Sequence, residues 1–264
     1  MTTESIILSA YIISLTILFI FGAHGFNMIY YYFKTYGERT RDLEEHEFHL
    51  DEYPVVTIQL PLFNERYVIT RLIDATMRME YPKDKMEIQI LDDSTDDTTE
   101  IIRHHIQKYI NEGYDIKLIH RTNRQGYKAG ALKEGLEVAR GEFVAIFDAD
   151  FIPRKKFLKR TIPYFYKYEK LGLVQTRWEH LNREYSLMTK TQAIALDGHF
   201  VIEQAVRNRA GFFINFNGTA GVWRKECIFD AGNWEADTLT EDLDLSYRAQ
   251  MKGWKFKYLV NFTS

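Results

Sequence analysis

Glu142-Phe143-Val144-Ala145-Ile146-Phe147-Asp148-Ala149-Asp150 decides the fold. A run so short and so apolar reads as a strand buried on both faces, the habit of parallel sheets. Open α/β sheets take their ligands at the carboxyl ends of such strands, where Asp148 and Asp150 stand. Two acids one residue apart can share a hard divalent cation whose shell is completed by water and phosphate oxygens. A solvated acidic turn is the alternative reading of a lone D-x-D.

Outward from this strand the same rhythm repeats. Val55 to Leu60, Glu87 to Leu91, Ile116 to His120 and Phe256 to Val260 read as further strands. Ile102, Ile106, Tyr109 and Ile110 recur at helical spacing, opened by Asp97 or Thr98 as cap and closed near Gly113; Leu132, Leu136 and Ala139 do the same before Gly141. Strands about every 30 residues with helices between them indicate βαβ units and a mostly parallel sheet.

Each strand ends in polar residues. The first runs into Pro61-Leu62-Phe63-Asn64-Glu65 and the second into Asp92-Asp93-Ser94-Thr95-Asp96-Asp97. Asp92 and Asp93 could accept hydrogen bonds from a base or a ribose, while Asp96 and Asp97 suit the start of a helix. Asn123-Arg124-Gln125-Gly126-Tyr127-Lys128-Ala129-Gly130 opens a helix with glycines and a lysine, a combination that favours phosphate, although it lacks the G-K-[ST] of a P-loop. Thr240-Glu241-Asp242-Leu243-Asp244 begins another helix, with Thr240 as cap. Its acids either complement the helix dipole or include a general base.

Composition narrows the function. A formal net charge of -3 provides no basic field for nucleic acid. The single cysteine, Cys227, excludes an intrachain disulfide and a cysteine-based zinc site and fits a reducing compartment. From Ser5 to Phe33 there is no Asp, Glu, Lys or Arg, which is longer than the roughly 20 residues a membrane helix requires. We therefore divide the chain into a transmembrane helix at 1–33, a charged juxtamembrane linker at 34–53 and a catalytic domain at 54–264. Glu4 precedes the span, whereas Lys34, Arg39 and Arg41 follow it, so the positive-inside tendency puts the domain on the cytoplasmic side of the cell membrane.

The ordered series Pro61-Leu62-Phe63-Asn64-Glu65, Leu91-Asp92-Asp93-Ser94-Thr95-Asp96, Lys128-Ala129-Gly130, Asp148-Ala149-Asp150 and Thr240-Glu241-Asp242 resembles family-2 glycosyltransferases, inverting enzymes of the GT-A fold. Val174-Gln175-Thr176-Arg177-Trp178 and Phe216 to Arg224 look closer still to the cellulose synthase-like group, nearest its mannan and glucan synthase-like A and C types. The resemblance covers residues 54 to 260. It implies a nucleotide half at 54–150 and an acceptor half at 151–264.

Residue by residue, it implies that Asn64, Glu65 and Asp92 or Asp93 hold the nucleoside and that Lys128 faces the base or diphosphate. Asp148 and Asp150 would bind Mg²⁺ or Mn²⁺ bridging the diphosphate, with Gly218 and Thr219 beside the acceptor. Asp242 would take the proton of the acceptor hydroxyl. The donor would be of the UDP-glucose or GDP-mannose type, and the acceptor a growing β-linked glycan or a lipid-linked one. A polyprenyl-phosphate glycosyltransferase adding one sugar and a non-catalytic nucleotide-binding membrane subunit are the competing readings.

Polymer-forming members carry Q-x-x-R-W after the T-E-D segment, followed by further spans. Gln175-Thr176-Arg177-Trp178 is one residue too short and lies before Thr240. The expectation is a C-terminally truncated chain.

Overall fold

The computed structural model describes residues 2–37, 50–180 and 182–263. Most of the expected linker, residues 38–49 with Arg39 and Arg41, lies outside them.

Helix α1 (Thr3–Lys34) holds 32 residues, which at 1.5 Å per residue is about 48 Å, more than the ~30 Å of a bilayer's hydrocarbon core. It is one helix long and apolar enough to cross a membrane, and its apolar window is not buried against the rest of the chain. Near its C-terminal end Met28 is buried and Tyr31 packs edge-on against Phe212, ring centroids 4.8 Å apart.

The body is built on a seven-stranded sheet. Its elements run β1 (Val56–Leu62), α2 (Ile69–Met77), β2 (Met86–Asp92), α3 (Thr98–Asn111), β3 (Asp115–His120), α4 (Tyr127–Glu137) and β4 (Phe143–Ile146). Then come α5 (Phe157–Thr161), α6 (Tyr164–Lys167), β5 (Leu171–Arg177), α7 (Leu187–Asp197), α8 (Ala205–Arg209), β6 (Gly221–Arg224), α9 (Lys225–Asp230), α10 (Glu241–Met251) and β7 (Lys255–Thr263). A π-helical stretch, Gly198–Gln204, joins α7 to α8.

Spatial order is β3-β2-β1-β4-β6-β5-β7, and β6 alone among the described strands runs against its neighbours. The architecture is thus the expected α/β one with a mostly parallel sheet. The five strands read from the sequence are present, each within a few residues of its expected ends. The chain winds outward through β1, β2 and β3, then returns to lay β4 on the other side of β1. That reversal opens a crevice at the carboxyl ends of β1 and β4, the place where open sheets bind ligands.

Alternation along the strands sorts two cores. Val56, Ile58, Leu60, Ile88, Ile90, Phe143 and Ala145 face the side covered by α2 and α3. Val144, Ile146 and Leu91 face α4 and α10 through Leu132, Leu136, Leu245 and Ala249. The same alternation places polar side chains beneath α4. Thr57 donates to Glu87 at 2.6 Å, and Gln59 donates to Gln89 at 3.0 Å. Gly135 on α4 makes room for this layer, since a Cβ there would lie 2.6 Å from Gln59 Nε2.

Two helix starts hold the expected residues without a capping bond from their side chains. Asp97 occupies the position before α3, but Asp96 Oδ1 accepts the Thr98 N–H, at 3.0 Å. Thr240 occupies the position before α10 without a side-chain capping bond; its carbonyl accepts the Asp244 N–H at 3.1 Å.

Candidate functional site

The crevice between β1 and β4 is a cleft of about 470 Å³. Phe63, Glu65, Asp93, Arg124, Lys128, Asp148 and Asp150 line it, together with Pro61, Leu62, Ala131 and Ala149. Four of the five sequence motifs therefore meet in one cavity, and the fifth approaches it through Gly218.

Asp148 has the strand parity of Val144 and Ile146, which turns it toward the face of α4 and α10. Lys128, in the first turn of α4, donates to Asp148 Oδ1 at 2.5 Å and to the Gly218 carbonyl at 2.9 Å. Gly218 has φ +77°, and a Cβ on it would stand 3.3 Å from both Lys128 Nζ and Asp242 Oδ2. The chain makes this approach because residue 218 is a glycine. Burial pushes the Asp148 carboxyl up; the Lys128 ammonium opposes this, while Asp150 and Asp242 add to it. Burial also raises Glu65, helped by the charges of Asp150 and Asp148. The site is a cluster of acids short of positive charge.

Asp242 is positioned from behind. Ser246 donates to the Asp242 carbonyl at 2.5 Å and accepts the Phe216 N–H at 2.8 Å. Gln250 brackets Ile214, accepting its N–H at 3.0 Å and donating to its carbonyl at 2.8 Å. One face of α10 thus fixes both Asp242 and the segment leading to Gly218. Asn217 is tied in turn to Gln204 of the π-helical stretch at 3.2 Å.

Three expected site residues are placed elsewhere. Asp92 has the parity of Ile88 and Ile90 and so points to the α3 side, fully buried. Its oxygens accept the Ser94 N–H at 2.9 Å and the Thr99 hydroxyl at 2.6 Å, with His120 Nδ1 at 2.9 Å. Asp93, one residue on, reaches the cleft instead. Thr219 is fully buried, and its hydroxyl accepts the Asp148 N–H at 2.9 Å. That bond ties Asp148 to the loop before β6. Asn64, exposed at φ +57°, locks two loops together: its Oδ1 accepts the Thr95 N–H at 2.9 Å.

The geometry adds residues that the sequence did not single out. Arg121 grips Asp93 with two bonds of 2.7 and 2.6 Å. Arg124 lies on Phe63 with its guanidinium carbon 3.3 Å from the ring centroid. Glu241 has its carboxyl pushed up by burial, with Lys128 opposing the shift and Asp242 and Asp148 adding to it. Arg124 and Glu241 lie within quoted motifs and Arg121 directly follows the third strand, but only tertiary placement separates each from its neighbours.

The donor set suits a hard divalent cation. Asp148 and Asp150 lie one residue apart on the cleft, and the exposed Asp150 carboxylate has no side-chain partner among the described residues. No group of three His, Cys, Asp or Glu side chains closes a cage among the described residues. The protein thus offers a partial shell, the arrangement Mg²⁺ adopts when substrate phosphates complete it.

Comparison with known proteins shows the family and the fold. The family described as "Glycosyltransferase like family 2" matches residues 54–262. The chain is 49% identical over 212 residues to glucomannan 4-beta-mannosyltransferase 1 of Cyamopsis tetragonoloba, covering 79% of this chain and 40% of that one. It is 48% identical over 211 residues to glucomannan 4-beta-mannosyltransferase 9 of Arabidopsis thaliana, covering 78% and 40%. The chain therefore spans about two fifths of the length of these curated relatives. Among solved structures, the mannosyltransferase PcManGT from Pyrobaculum calidifontis, in complex with GDP-Man and Mn²⁺, superposes with a TM-score of 0.71 at 22% identity. That match covers 93% of this chain and 66% of that one. S. aureus TarS superposes with a TM-score of 0.58 at 18% identity, covering 79% and 36%. These two likenesses show the fold, GT-A-like. By its ordered motifs and its match across residues 54–262, the chain belongs to glycosyltransferase family 2.

Proposed function

We propose that this domain transfers a mannosyl group from a nucleoside-diphosphate sugar, of the GDP-mannose type, to a hydroxyl of a growing β-linked glycan at the membrane. The carrying observation is the convergence of Lys128, Asp148, Gly218 and Asp242 beside a cleft sized for a nucleotide. The mannosyl choice rests on the curated relatives, both named mannosyltransferases. α1 anchors the domain, with Lys34 at its cytoplasmic end.

Asp93 and Glu65 face the nucleoside, and Lys128 donates to the diphosphate. A Mg²⁺ or Mn²⁺ on Asp148 and Asp150 would neutralise the charge developing on the leaving nucleoside diphosphate. Asp242 accepts the proton of the acceptor hydroxyl as its oxygen attacks the anomeric carbon opposite the leaving group. The configuration therefore inverts. A leaving group neutralised in this way needs no protonated carboxyl, so a single acid suffices as base.

The test is transfer by the full-length protein in detergent, with GDP-mannose, UDP-glucose and Mn²⁺. Release of GDP with a β-linked mannosyl product is expected. A product retaining the donor's α configuration, or no release from either donor, would overturn the reading.

A further inference from the structure

Arg124 is a cation that rests on aromatic rings and has no hydrogen-bonding or charged partner among the described residues. Its guanidinium carbon lies 3.3 Å from the centre of Phe63 and 5.1 Å from that of Tyr127. Its side chain makes no hydrogen bond or ion pair among the described residues. Its Nε is fully buried and has no acceptor among the described residues. A buried donor without a partner costs about 1–3 kcal/mol, and the terminal nitrogens, which keep accessible surface, are unpaired as well, so the fork is open to a partner supplied from outside. The backbone there is also strained, with φ +43° at Arg124 and +49° at Tyr127.

The location limits what that partner is. Arg124, Phe63 and Asp93 all line the cleft. The phosphate-binding work is already assigned elsewhere, to Lys128 beside Asp148. Around Phe63 the cleft offers an aromatic ring, an arginine fork with unused in-plane donors, and a carboxylate fixed by Arg121. Each carboxylate oxygen keeps a second lone pair after Arg121 is served. A planar ligand with acceptors along one edge and N–H donors along another matches this set. Guanine has that pattern: O6 and N7 pair with an arginine fork, and N1–H and the 2-amino group suit a carboxylate. Adenine presents a 6-amino donor where guanine presents O6, so it opposes Arg124. Uracil lacks the O6/N7 pair.

We infer that Arg124, backed by Phe63, is the specificity-determining residue for the base of the donor nucleotide, reading the O6/N7 edge of a 6-oxopurine. This rests on the cleft being a nucleotide site. Arg124 touches the base and not the reacting atoms, so it sets donor affinity and leaves the chemical step alone.

The experiment measures binding of GDP, IDP, ADP and UDP to the full chain in detergent with Mn²⁺, for the wild type and for Arg124→Lys and Arg124→Ala. The wild type should bind GDP and IDP, which share O6 and N7, about tenfold or more tighter than ADP or UDP. Arg124→Lys keeps the charge but loses the planar fork, so the four affinities should converge while UDP binding changes little. Equal weakening of all four would make Arg124 a diphosphate ligand and overturn the inference, as would wild-type ADP binding as tight as GDP. Binding of none of them would overturn the nucleotide reading of the cleft itself. The wild-type series needs no variant to fold and is decisive alone for the ADP comparison.

Discussion

Lys128 donates to Asp148 at 2.5 Å and, with the same ammonium, to the Gly218 carbonyl at 2.9 Å. One cation thus ties the acid that follows β4 to the loop before β6, which lies 90 residues beyond Lys128 in sequence. In the proposed reaction it holds Asp148 ready and meets the diphosphate. Lys128→Met should lower turnover about 100- to 1000-fold, the usual loss for one donor aimed at developing charge. The melting temperature should barely move, since the side chain is partly exposed. Steady-state kinetics and thermal unfolding on the same preparation check this. A large fall in melting temperature with turnover preserved would make Lys128 structural.

Gly218→Ala tests the closest approach in the site. The left-handed φ of +77° costs an alanine about 1–2 kcal/mol. Its methyl would stand 3.3 Å from Lys128 Nζ and Asp242 Oδ2. A small stability loss should accompany a turnover loss of about a hundredfold, the scale of a 1 Å misplacement. Equal kinetics in the two proteins would show that the approach has no part in the chemistry.

Glu87 is buried under α4 and bonded to Thr57 at 2.6 Å, the Arg140 N–H at 2.7 Å and Lys117 at 2.7 Å. Burial would push its carboxyl up, but Lys117, Thr57 and Arg140 together hold it below its ordinary value of 4.5. The folded value being the lower one, this stabilisation is complete above that pH and is lost as pH falls through the depressed value. Glu87→Gln should cost about 2 kcal/mol at neutral pH and flatten the decline of stability on acidification. Parallel decline in wild type and variant would refute the assignment.

Asp150 has no other task among the described side chains, so it isolates the metal. Asp150→Asn should weaken GDP binding with Mn²⁺ by about tenfold or more and leave binding in EDTA unchanged. Equal weakening in both conditions would exclude Asp150 as a metal ligand.

Much of this was legible from the sequence. Val56 to Leu62 and Phe143 to Ile146 are apolar enough to announce buried strands, and the acids at their ends mark the edge where ligands bind. Other parts were not. β6 is four residues long and reversed, and nothing in Gly221-Val222-Trp223-Arg224 reports its direction. Helix α2 was not read at all between the first two strands. Choosing between Asp92 and Asp93 required strand parity, because a shift of one residue exchanges a buried tie to Thr99 for a place on the cleft. Thr219 illustrates the same limit: its motif is right, but its hydroxyl turns inward to the Asp148 N–H. The Arg124–Phe63 stack joins residues 61 positions apart, and no local pattern foretells it.

The central claim is that Asp242 is the base, and Asp242→Asn in the full-length protein tests it most directly. Asparagine keeps the size and the polar contact to the Leu243 N–H, at 2.8 Å in the native chain, but cannot accept the acceptor's proton. We expect Mn²⁺-dependent GDP binding to be preserved and mannosyl transfer to fall by about 100- to 10,000-fold. Transfer retained at the wild-type rate would contradict the account.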